Sequence, residues 1–171
     1  MRHLGLISLL YLLGLTLTPS AQSQTDPAKR LVGAWRLVSV EGTSPVFKFA
    51  FDHPHGLIIY DSSGRMSVQQ ANIGDRKPFA KGPADGTIEE KAAAFDSYGA
   101  YYGTYTVDTK AGTVTHHIED GMNPAQRGRD NVRWYEFQGN DHVVLIATED
   151  GKGGMLARKD ATYKLTWERI K

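Results

Sequence analysis

The chain has 171 residues and not one cysteine. That absence excludes disulfide staples, thiol nucleophiles, cysteine-held zinc or iron–sulfur sites, and a lipid-modified cysteine at a processing site. An excess of either charge is missing too: 20 Lys and Arg stand against 19 Asp and Glu, for a formal net charge of +1. A near-neutral chain offers no footprint for a polyanion, so no nucleic acid is expected as a partner. There is no internal repeat, no low-complexity tract, no Gly-x-Ser-x-Gly elbow and no residue spacing that marks a Ser-His-Asp triad. GKGG at Gly151 lacks the strand, the helix and the terminal Lys-Ser/Thr of a phosphate loop. No cofactor and no metal are expected.

A long apolar span is lacking as well. The run LGLISLLYLLGLTL follows Arg2 and His3 and leads to Ala21-Gln22-Ser23. It falls short of the roughly 18 to 20 apolar residues that a membrane span needs. A basic start, an apolar core and a small-x-small site describe a secretory signal peptide over residues 1–23. The expected product is periplasmic or secreted, with a polar leader at 24–30, one domain at 31–171 and no stable membrane anchor after cleavage.

What is present is mostly β. In LVGAWRLVSVE, Leu31, Gly33, Trp35 and Leu37 share one face of a strand, and Val32, Ala34, Arg36, Val38 and Val40 share the other. Gly33 leaves room beside Trp35, whose indole can plug the end of a barrel. TYKLTWERIK at the far end alternates in the same way, and Trp167 and Arg169 stand where a last strand closes against the first. An arginine over a buried indole would latch that closure.

Between these ends, VFKFAF puts Phe47, Phe49 and Phe51 on one face, DHPHG reads as a turn into GLIIY, and DSSG is a hairpin signal before RMSVQQ. Ile58, Tyr60, Met66, Val68 and Gln70 are the expected interior residues there. Asn72 to Gly86 is irregular and long enough for a lid or flap. Thr87 and Glu90 have capping-box spacing, which predicts a helix of about three turns over EEKAAAFDSY, placed to close one mouth of a barrel. YGTYTVD, TVTHHIE, NVRWYEF, HVVLIATE and TYKLTWERI follow as short strands with Gly/Asn/Asp turns. The predicted fold is all-β: a small antiparallel up-and-down barrel with one short helix.

The Gly-x-Trp first strand with a terminal-strand arginine resembles the lipocalin and wider calycin pattern. GLIIYDSSGRMSVQ, AAAFDSYGAYYGTYTVD, GTVTHHIE, DNVRWYEFQGNDHVVL and LTWER are similar to successive blocks of the bacterial and fungal lipocalin-like domain family. The resemblance implies the barrel, and says little of activity, because one fold hosts many functions.

Adjacent histidines in a strand face opposite ways, so His116 should point inward beside Val114 and Ile118, and His117 outward. The pair cannot ligate one ion inside the barrel. His53 and His55 could be ligands, yet a two-histidine turn near Asp52 and Asp61 reads as a solvated loop. Arg133 is expected inward, where it needs a carboxylate or an anionic ligand head. Tyr60, Tyr101 and Tyr105 add phenols to the same interior. The set Tyr60, Tyr101, Tyr105, His116 and Arg133 suits a small hydrophobic or amphipathic molecule with a carboxylate or carbonyl. Two other readings use the same residues. One is an enzyme of isomerase, cyclase or dehydratase type with His116 as acid or base; the other is an envelope protein whose barrel is filled by its own side chains.

Overall fold

The computed structural model describes residues 26–42, 53–72, 76–147 and 163–171. The expected VFKFAF strand, the turn before it and the GKGG loop lie outside these residues. Eight strands close into one antiparallel barrel in chain order: β1 (Gly33–Gly42), β2 (Pro54–Tyr60), β3 (Arg65–Asn72), β4 (Tyr98–Asp108), β5 (Thr113–Gly121), β6 (Asp130–Gln138), β7 (His142–Ala147) and β8 (Tyr163–Arg169). Each strand pairs with its sequence neighbour, and β1 pairs with β8, so no edge is left open.

Up-and-down order sorts the connections by end. The turns β2–β3, β4–β5 and β6–β7 lie at one end, with the short helix α1 (Pro27–Leu31). The longer connections β3–β4 and β5–β6 lie at the other, which carries α2 (Ile88–Asp96) and a 3-10 turn at Pro124–Gln126.

The α1 end is plugged. Asp26 caps α1 by accepting from Ala28 N, and Leu31 at its last position is fully buried. The first strand therefore starts at Gly33, two residues later than the alternation implied. Trp35 is fully buried and its Nε1 donates to Leu31 O at 2.8 Å. Arg169 lies 4.0 Å from the centre of the Trp35 ring and donates from Nη1 to Val32 O and from Nη2 to Arg30 O. The room beside Gly33 belongs to Arg169: a Cβ there would stand 2.8 Å from Nη1, on a backbone at φ +134°. Arg30, read as part of a polar leader, also joins the plug, stacking on Phe137 at 3.8 Å and donating to Gly139 O.

Several local expectations shift. The β1–β8 register slips between Leu37 and Ser39, so Val38 is exposed and Val40 packs on the core, although strict alternation put both on one face. DHPHG is not all turn: β2 already runs from Pro54, with His55 opposite Ala71, and a strand's first position is where proline is tolerated. The helix ends at Asp96 instead of Tyr98. Tyr98, Gly99 and Ala100 instead pair with Ala71, Gln70 and Gln69 as the start of β4. The capping box on Thr87 and Glu90 is formed as predicted.

Candidate functional site

Alternation decides which side chains enter the barrel. On β2 and β3, Ile58, Tyr60, Met66, Val68 and Gln70 are all buried, as the period of two required. On β5, His116 lies between Val114 and Ile118 and is buried. His117 points outward, where its Nδ1 meets Asp130 Oδ1 at 2.7 Å and its Nε2 meets Thr106 Oγ1 at 3.0 Å. Arg133 on β6 is buried and donates from Nη1 to Val132 O.

The imidazole of His116 is held on both sides. Its Nε2 lies 2.7 Å from the Tyr60 hydroxyl and its Nδ1 lies 2.8 Å from the Tyr101 hydroxyl. Burial, with Arg133 and His117 adding to it, holds the His116 pKa well below the usual imidazole range. Burial, with Tyr101 next, raises that of Tyr60 well above the usual phenol value. At neutral pH the cluster is therefore a neutral imidazole between two phenols. One ring nitrogen carries a proton and donates; the other accepts. Both ring nitrogens are thus engaged, and His116 reaches a ligand or a metal only by breaking one of these bonds.

Tyr105 takes a different position. Its ring meets that of Tyr60 edge-on at 4.9 Å, but its hydroxyl donates to Asp61 O in the β2–β3 turn. It braces the tyrosine that braces His116.

Beside this cluster is a cavity whose polar wall is Gln70, Tyr101, His116, Arg133, Tyr163 and Trp167. The rest of its wall is aliphatic. It offers about 20 Å³ to the centre of a water-sized sphere, room for about one water molecule or one small polar group. Tyr60 and Tyr105 stand outside that wall.

Gln70, Tyr163 and Trp167 were not among the expected site residues. Gln70 is one of the expected interior residues, and a polar side chain at an inward position between apolar ones is the signal the sequence offers. Tyr163, Leu165 and Trp167 share the inner face of β8, and alternation along that strand is the signal that marks them. Two polar atoms of this wall, Gln70 Oε1 and Trp167 Nε1, have no hydrogen-bond partner among the described residues.

Among the described residues no three His, Asp or Glu side chains come close enough to hold a metal ion. His55 is exposed on β2.

The sequence profile of a family described as a lipocalin-like domain matches residues 32–170. A comparison with curated proteins finds no match. Among solved structures, a redesigned beta barrel aligns at a TM-score of 0.42 and 13% identity, over 84% of this chain and 95% of its own. The Echinococcus granulosus fatty-acid-binding protein 1 aligns at 0.42 and 12% identity, over 84% of this chain and 99% of its own. Likenesses this distant carry nothing about a ligand.

Proposed function

This chain belongs to the lipocalin-like domain family, and from that premise we propose that it is an exported protein that binds a small hydrophobic or amphipathic molecule in its barrel. The observation that carries the reading is the polar wall of the internal cavity. A barrel that needed only a core would fill this volume with aliphatic side chains, because every buried polar group costs stability unless it is bonded. Here Arg133, Gln70, Trp167 and the tyrosine-bracketed imidazole gather around one space. At about 20 Å³ the space matches the polar end of a ligand.

The same volume favours a second reading, in which the barrel is filled by its own side chains and one internal water, and takes no ligand. Expression of the full chain in a bacterium followed by native mass spectrometry separates the two. The binding reading expects a discrete added mass that is lost on denaturing extraction. A bare protein that also takes up no added amphiphile would end it. The same spectrum tests export, which rests on the sequence of residues 1–23: a periplasmic or secreted product shorter by about that segment is expected, and an intact cytoplasmic chain is the contrary result.

A further inference from the structure

We propose that Trp167 and Gln70 are the recognition pair of this cavity, and that the ligand they read carries a hydroxyl at its polar end. The inference rests on the reading that the barrel takes a ligand. Trp167 is 1% exposed and Gln70 is 5% exposed; both line the cavity. The indole Nε1–H can only donate, and the amide Oε1 can only accept. Neither has a partner among the described residues, and a buried polar atom left unbonded costs more than a typical bond contributes.

One kind of oxygen matches both atoms. A hydroxyl accepts from the indole and donates to the amide, and the cavity has room for about one such group. Water has the same pattern, so a ligand hydroxyl replaces a water without losing its bonds. Other head groups fit less well. An ester or ketone accepts from Trp167 but gives Gln70 Oε1 nothing. An ammonium serves Gln70, leaves Trp167 unbonded and faces the Arg133 guanidinium. A carboxylate accepts from Trp167 and gains from the charge of Arg133, but sets a second acceptor against Gln70 Oε1. It is the informative competitor.

His116 acts here through its neighbours. With both ring nitrogens bonded to phenols, it fixes the orientation of Tyr101 in the cavity wall, and those nitrogens are not available to hydrogen-bond a ligand. It is a positioning residue.

The test is equilibrium binding of four ten-carbon probes to the full chain: 1-decanol, methyl decanoate, decanoate and decylamine. We expect decanol to bind about tenfold or more tightly than the ester and the amine, and more tightly than decanoate. In Gln70→Leu the decanol affinity should fall about tenfold while the ester is unchanged, so the preference between them disappears. In Trp167→Phe both should weaken. The probe comparison on the unsubstituted chain does not depend on either variant folding. Equal binding of all four, or tightest binding of decanoate or decylamine, overturns the hydroxyl assignment and leaves the ligand-binding reading standing. Binding of none overturns both.

Discussion

At the scale of single residues, His116 is the group whose chemistry the barrel changes most. Protonating it would place a cation beside Arg133 in a buried setting, and would turn the ring nitrogen that accepts from a tyrosine into a donor. Both effects oppose the charged form, and its pKa in the folded protein lies well below the usual range. In the unfolded chain it returns to about 6.5. Below that value the unfolded chain binds a proton that the folded one refuses. The stabilisation from a neutral His116 is thus complete above about pH 6.5 and is lost as pH falls toward the depressed folded value, with a slope approaching about 1.4 kcal/mol per pH unit. Urea unfolding at a series of pH values, with His116→Gln alongside, reads this directly. Glutamine keeps a donor and an acceptor but does not titrate, so its stability should fall less between pH 6.5 and 5. The lowered carboxylates Asp61, Glu89, Glu90 and Asp120 lose their contribution at more acid pH, outside this window.

At the scale of elements, the β3–β4 connection holds together by its own contacts. Thr87 Oγ1 accepts from Glu90 N, while the Glu90 carboxylate accepts from Thr87 N and from Ala80 N, so one side chain caps α2 and ties residues 76–86 to it. Arg76 reaches the other end, donating to Ala94 O and Ser97 Oγ and lying over Tyr98. None of the nine residues of α2 is buried, and Ile88 is 82% exposed. Helix and barrel are therefore energetically separable. Thr87→Ala should weaken α2 by about 1 kcal/mol, which speeds amide exchange in α2 about fivefold and leaves the urea midpoint of the barrel unchanged. Exchange read by mass spectrometry, next to a denaturation curve, checks both halves. Strand β4 shows the opposite coupling. Its register with β5 shifts between Tyr102 and Gly103, and a Cβ on Gly103 would lie 2.0 Å from His117 O. Only glycine allows the close approach that accompanies this bulge.

At the scale of the whole molecule, closure depends on a contact between the ends of the chain. Arg169 binds the carbonyls of Val32 and Arg30 and stacks on Trp35, and the backbone beside it continues the join through Arg169 N to Asp141 O and Ile170 N to Ala34 O. With Nε also donating to Asn140 O, the planar fork serves three carbonyls and a ring face at once, and an ammonium cannot. Arg169→Lys should cost about 2–3 kcal/mol, seen as a lower urea midpoint with an unchanged slope. A loss no larger than that of an exposed substitution would mean that the strand pairing alone closes the barrel.

The sequence by itself determined whatever follows from a backbone period. The antiparallel up-and-down barrel, the inward His116 against the outward His117 and the capping box on Thr87 were legible along the chain, whereas the number of strands that close and the inward face of β6 with Arg133 were not fixed by the period. The sequence also supplied the arginine latch, because the pattern of both ends was visible. Tertiary structure decided what meets across the interior. Tyr60 and Tyr101 occupy the two nitrogens of His116 from strands β2 and β4, Tyr105 turns its hydroxyl to Asp61, and Gln70 and Trp167 line one cavity from β3 and β8. The β1–β8 register slip moved Val40 inward. The physical reason is that alternation fixes only whether a side chain points in. Which residue it then faces depends on the stagger at which the strands pair and close, and that is set by all eight strands together.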